Sequence, residues 1–295
     1  MKKNKPPFFI IGNPRSGTTL LRLMLTSNKQ VVIPPESSFF IWFYKKYSNW
    51  KFDNLNLSKL NFFLEDLFKA QKFENWKLNK DDLRKSLIQE KPKNYSELIY
   101  AIYHFYSIKI KKKYMIWGDK NNYYLNKIDV VDKIFPNSKF IHIIRDGRNV
   151  ACSYIQLSKK KIDSQYAPKL PAKLEEIANE WNKNILTINR SFKKINKNNF
   201  LEVKFEELIL QPKNTLKTIC NFLGASYDAN MLNYYNLTED QGLEPKEFLA
   251  WKKKNQRPLL IGEIDRYKKE LSLQEIDLFN SIAKKSLEQY HYIEN

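Results

Sequence analysis

The chain has 295 residues, of which 42% are hydrophobic and 14% aromatic, enough for a sizeable core, and its formal net charge is +19. No segment approaches the ~20 apolar residues of a membrane span, and two cysteines (Cys152, Cys220) with three scattered histidines (His104, His142, His291) imply neither a disulfide framework nor a zinc site. The charge is mostly lysine dispersed among Asn, Ile, Phe and Tyr, a composition that favours anionic ligands and a solvated surface over a nucleic-acid interface.

Taken in chain order, Lys2, Lys3 and Lys5 precede the apolar run Phe8–Ile11, which is too short for a signal-peptide core and is broken by Gly12 and Pro14. The reading is a cytoplasmic protein. Phe8–Ile11 is a strand and residues 18–27 a helix, with the loop Gly12-Asn13-Pro14-Arg15-Ser16-Gly17 between them. Strand, glycine-bounded loop and helix make an anion cradle, because the first-turn amides have no partners and the positive end of the helix dipole faces outward. The frame Gly12…Gly17-Thr18-Thr19 has the spacing of a nucleotide-triphosphate loop, but Thr18 stands where the phosphate-reaching lysine belongs and Arg15 supplies a cation inside the loop instead. Such a loop holds phosphate and is badly equipped to split ATP.

Residues 31–33 form a short apolar run halted by Pro34-Pro35, with Glu36 next, and residues 37–50 carry aromatics at helical spacing (Phe39, Phe43, Tyr47). Segments near 57–70, 80–89 and 95–112 read as helices with lysine outside. Residues 115–117 are a brief strand, 124–134 a helix, and Phe135-Pro136-Asn137 a turn into Lys139–Ile144, a strand buried on both faces. The helix after it carries Cys152 and Ser153. A long amphipathic helix follows over 172–195, then a strand over 200–205, the helix Pro212–Leu223 stopped by Gly224, and a closing helix near 274–290. The expected architecture is α/β: a P-loop-type, mostly parallel sheet flanked by helices, one domain over residues 1–295, with a helical insertion between the two end motifs covering the site.

Two stretches carry a family resemblance. Pro14-Arg15-Ser16-Gly17-Thr18-Thr19-Leu20 resembles the 5′-phosphosulfate loop of sulfotransferases that use 3′-phosphoadenosine 5′-phosphosulfate (PAPS). Lys139–Ile144 followed by Arg145-Asp146-Gly147-Arg148-Asn149-Val150-Ala151-Cys152-Ser153 resembles that family's strand, arginine and serine-bearing helix for the 3′-phosphate. The resemblance implies transfer of a sulfuryl group from PAPS to a hydroxyl-bearing acceptor (carbohydrate, small molecule, lipid or peptide tyrosine), leaving adenosine 3′,5′-bisphosphate (PAP), with no metal required. Arg15, Ser16, Gly17, Thr18 and Thr19 then bind the 5′ end, and Arg145 and Ser153 the 3′-phosphate, as two separate pockets. Pro34-Pro35-Glu36-Ser37 resembles the glutamate segment of the protein-tyrosine and related bacterial branch, which makes Glu36 the base. Lys120, in Trp117-Gly118-Asp119-Lys120-Asn121, resembles the lysine placed near the bridging oxygen; together with Arg15 it completes the catalytic set.

Other readings of these residues stay open in the sequence. Glu36 also suits a helix N-terminus, Arg145 a pair with Asp146, and Arg148 either phosphate or solvent. His104 and His142 read as packed structural residues. Phe205 replaces the tyrosine of the family's Tyr-Glu-x-Leu segment, and either Arg257 or Lys268 is a candidate cofactor contact near the C-terminus. Two competing functions are a nucleotide kinase with a degenerate loop and a non-catalytic nucleotide-binding protein. The acceptor and the oligomeric state are not legible.

Overall fold

The computed structural model of the chain describes residues 5–236, 245, 248, 251, 257–258, 262 and 264–294. Its centre is a parallel sheet of five strands, β1 (Phe8–Ile11), β2 (Val31–Val32), β3 (Ile116–Lys120), β4 (Lys139–Ile144) and β5 (Phe200–Lys204), in the order β2-β3-β1-β4-β5. β1 lies between β3 and β4, with Ile10 opposite Lys120 and Ile141. The apolar run of β1 and the apolar character of β4, broken only by Lys139 at its start and the buried His142, follow from this central position, since a parallel sheet is covered on both faces.

Alternation of side chains along β1 sorts the core into two layers. Phe8 and Ile10 pack with Ile141 and Ile143 against helices α1 (Thr18–Thr26) and α11 (Pro212–Leu223). Phe9 and Ile11 face the opposite layer, an aromatic core that includes Phe39, Phe40, Trp76, Tyr103, Trp117 and Phe140. The chain between β2 and β3 supplies most of that second layer as α2 (Phe39–Trp42), α3 (Tyr44–Tyr47), α4 (Ser58–Lys69), a 3-10 turn (Phe73–Trp76), α5 (Lys80–Glu90) and α6 (Tyr95–Lys109). Asn79 and Asn94 cap α5 and α6 by accepting from the amides of Asp82 and Glu97. After α7 (Ile128–Ile134), α8 (Gly147–Ser158) and α9 (Leu174–Phe192) pack with the closing helix Leu273–Gln289 around Trp181 and Phe279.

Several local expectations need revision. The aromatics at helical spacing after Glu36 fall on and between two single-turn helices. The strand expected over residues 115–117 runs to Lys120, because β1 draws Gly118, Asp119 and Lys120 into register. The helix expected over 124–134 divides into a 3-10 turn, Asn122–Asn126, and α7. Phe205 begins a helix, α10 (Phe205–Leu210), that the strand reading concealed.

Candidate active site

The carboxyl ends of β1, β3, β4 and β5 converge on one cavity of about 300 Å³. Beyond β1 the loop turns tightly, the Ser16 amide donating to the Asn13 carbonyl at 3.1 Å. Arg15 adopts φ of 66° and Gly17 φ of 95°, the left-handed region that a side chain at position 17 would resist. A Cβ on Gly17 would also stand 2.4 Å from the Phe205 ring, so α10 packs on bare backbone. Gly17 is the N-cap of α1 and contributes no capping side chain, which leaves the first-turn amides to a ligand. Thr18 Oγ1 donates to Asn122 Oδ1 at 3.3 Å, and Ser16 Oγ is buried with no hydrogen-bond partner among the described residues.

The two anion sites expected as separate pockets share this cavity. β1 and β4 are sheet neighbours, so their outgoing loops touch. Arg15 Nε donates to Ser153 Oγ at 3.1 Å, Arg15 Nη1 to the Trp251 carbonyl at 3.2 Å, and Arg145 Nη1 to the Arg15 carbonyl at 3.3 Å. Arg145 lies with its guanidinium carbon 4.4 Å from the centre of the Phe205 ring, so the residue that replaces the family tyrosine supplies an aromatic face to the cation. The Asp146 pairing left open for Arg145 belongs to Arg148, whose Nη2 is 2.7 Å from Asp146 Oδ2. Arg148 also donates to the Tyr292 carbonyl at 2.8 Å and stacks 4.1 Å from the centre of Tyr267. It is a buried packing group rather than the solvated one considered from sequence.

Across the cavity stands Glu36. Its segment is pinned through the two proline carbonyls that precede it: Arg22 Nη1 donates to Pro34 O at 3.1 Å and Trp76 Nε1 to Pro35 O at 2.9 Å. Lys120, buried at the end of β3, donates to Glu36 Oε1. Lys72 Nζ is 3.6 Å from Glu36 Oε2. With ammonium groups at both oxygens, Glu36 is placed by ion pairs rather than by a helix terminus. Asp119 points to the opposite side of β3, where it accepts from Tyr103 Oη, and burial pushes its carboxyl up to about 7.

Of the residues singled out from sequence, Arg15, Gly17, Thr18, Thr19, Glu36, Lys120, Arg145 and Ser153 all line the cavity, and Ser16 lies buried in the loop beneath it. Sequence reading missed Lys72, Gln156 and Arg266, which line it too, and Asn13, whose side chain donates to Tyr154 Oη at 3.1 Å and accepts from Asn184 at 2.7 Å. No motif marks Lys72 or Gln156, whereas Asn13 lies within the loop after β1 and Arg266 within the stretch 257–271 that resembles the family's closing loop. Near the C-terminus, Arg266 reaches the cavity, whereas Lys268 pairs with Asp265 on the surface at 3.1 Å and Arg257 is exposed. The insertion contributes Glu36 and Lys72 to one wall; Tyr166, Leu170, Phe248 and Trp251 form much of the apolar remainder. His142 is buried against Glu202 and His104 is half-buried on α6. Among the described residues no group of three His, Cys, Asp or Glu side chains could hold a metal. The donor set is therefore arginine, lysine, hydroxyl and helix amide. That chemistry, with a buried Ser16 hydroxyl and a side-chain-free Gly17 in the loop, fits a ligand bearing two phosphate-like ends.

Comparison with known proteins agrees with this chemistry. Residues 6–229 match the family described as the sulfotransferase family. Protein-tyrosine sulfotransferase 2 of Gallus gallus is 24% identical over 245 residues, which are 81% of this chain and 57% of that protein, so the chain spans little more than half of that relative. The sulfotransferase domain of the Synechococcus PCC 7002 olefin synthase superposes with a TM-score of 0.57 at 24% identity, covering 96% of both chains. Mouse sulfotransferase SULT7A1, solved with PAP, gives a TM-score of 0.51 at 14% identity over 98% of this chain and 89% of that one.

Proposed function

Since this chain belongs to the sulfotransferase family, we propose that it transfers the sulfuryl group of PAPS to the hydroxyl of an acceptor, with Glu36 as the base. The observation that carries the reading is the meeting of Glu36, Lys120, Arg15, Arg145 and Ser153 on one cavity at the carboxyl end of the sheet. Bound there, PAPS would supply an activated sulfuryl group on a phosphate leaving group.

The chain's own residues divide the remaining work. The loop amides at the start of α1, with Thr18, Thr19 and Arg15, would hold the 5′ end, and Arg145 and Ser153 the 3′-phosphate. Gln156 and Arg266 complete that side of the cavity. Glu36 would take the proton of the acceptor hydroxyl as that oxygen bonds to sulfur and the bond from sulfur to the phosphate oxygen breaks. Arg15 and Lys120 would offset the negative charge that collects on the departing oxygen. A fixed cation in a water-poor site does this at little reorganisation cost, and alignment of the two oxygens supplies much of the remainder.

The test is to incubate the protein with ³⁵S-labelled PAPS and a cell extract, then identify the labelled product. The proposal expects label on a hydroxyl of one acceptor class, appearing at least ~100-fold more slowly when Glu36→Gln replaces the native chain. Binding of PAP without label transfer to any acceptor would favour a non-catalytic nucleotide-binding protein. Stronger stabilisation by magnesium ATP than by PAP would favour a kinase.

A further inference from the structure

Lys72 is absent from both sequence motifs, yet it sits where three segments meet. It precedes the 3-10 turn Phe73–Trp76 with φ of 67°, in the left-handed region. From there its Nζ approaches Glu36 Oε2 at 3.6 Å, while Lys120 occupies the other carboxylate oxygen. The same ammonium stands 5.7 Å from the ring centre of Tyr166 and 5.4 Å from that of Phe248. Those rings attract the cation by their quadrupoles and replace part of its water.

The turn that carries Lys72 is itself fastened at both ends of this contact. Glu74 accepts from Tyr166 Oη at 2.5 Å, and Trp76 Nε1 donates to the carbonyl of Pro35, one residue before Glu36. One short segment thus holds the backbone at Glu36, its second carboxylate oxygen, and a ring that lines the cavity. A carboxylate held at one oxygen still turns about its terminal bond, whose torsional preference is broad. Held at both, it presents its lone pairs in fixed directions.

We propose that Lys72 is a positioning residue for the base: it orients the Glu36 carboxylate toward the acceptor side of the cavity and is kept in place by the Tyr166 and Phe248 rings. The proposal rests on the reading of Glu36 as the base. Among the described residues, the other groups that act on Glu36 include Lys120 and Asp119 from β3 and Tyr124 from the turn after it. Lys120, like Lys72, carries positive charge. Removing either cation disfavours the ionised carboxylate, because an opposite charge at this range favours it.

The experiment is a pH titration of the full chain labelled with [δ-¹³C]glutamate, in which the Glu36 resonance is identified by its loss in Glu36→Gln. Lys72→Met should move the Glu36 midpoint upward by about one pH unit. Lys72→Arg, which keeps the charge, should return it most of the way. Where the methionine variant does not fold, Lys72→Gln serves the same comparison. An unchanged midpoint in the uncharged variant, or an arginine variant displaced as far, overturns the role of Lys72 while leaving an inactive Glu36→Gln enzyme as support for the base. A Glu36→Gln protein that transfers the sulfuryl group at an undiminished rate overturns the base, and this proposal with it.

Discussion

Arg15 is held by Ser153 and the Trp251 carbonyl, and its own carbonyl accepts from Arg145, so a single residue joins the ends of β1 and β4. Its removal should therefore harm both nucleotide binding and turnover. Arg15→Ala should cut turnover at least ~100-fold, the usual cost of losing one preorganised charge-stabilising donor, and should weaken PAP measurably by calorimetry. Glu36→Gln should lower turnover by a similar factor of at least ~100 while leaving PAP affinity near the native value, since the residue lies on the far wall. Equal losses of PAP affinity in the two variants would contradict this division of labour. The pin on Glu36 is separately testable. Trp76→Phe removes a buried donor and leaves the Pro35 carbonyl without it, which should cost about 1–3 kcal/mol of stability in urea unfolding.

At the scale of elements, β1 and β4 were legible because each is a mostly apolar run between turn-forming residues, and the loop after β1 announces itself by spacing. β3 was only half legible. Gly118, Asp119 and Lys120 are poor strand formers, and their strand geometry comes from pairing with β1, a tertiary effect that local preference does not contain. The start of α10 was hidden for a related reason: no glycine or proline separates it from β5, and only Glu206 and Glu207 in its first turn mark it. Lys72 was lost among other basic residues without a motif around it, Arg266 was passed over for its neighbours Arg257 and Lys268, and Arg22 and Trp76 act through backbone carbonyls 12 and 41 residues away.

The burial of β3 also predicts a pH dependence. Asp119 is pushed up to about 7 by burial, well above the ordinary value near 3.9. The folded chain therefore keeps this proton at pH values where the unfolded chain has released it. The resulting contribution to stability is complete below about pH 4 and is lost as pH rises through about 7. Asp119→Asn removes the titration, so its stability relative to the native protein should rise between pH 5 and pH 8 in denaturant unfolding. A difference that stays constant over that range would contradict the assignment.

For the molecule as a whole, the sheet order places the two motifs, far apart in sequence, at one opening. The family resemblance had anticipated most of the residues there but had divided them into two pockets. Their union has a consequence for affinity. Each phosphate of PAP would meet several charge-assisted hydrogen bonds, worth about 1.5–3 kcal/mol apiece. Adenosine 5′-phosphate and adenosine 3′-phosphate should therefore each bind at least ~10-fold more weakly than PAP, and Arg15→Ala should weaken all three. The dispersed lysine surface adds attraction for polyanions but does not distinguish one end of the nucleotide from the other.

The most direct test of the account is a crystal structure of the chain with PAP. It should place the 5′-phosphate against the amides that open α1 at Thr18 and Thr19, and the 3′-phosphate within hydrogen-bond distance of Arg145 and Ser153, with Glu36 facing the site of sulfuryl transfer. A nucleotide bound with neither phosphate at these groups would contradict it.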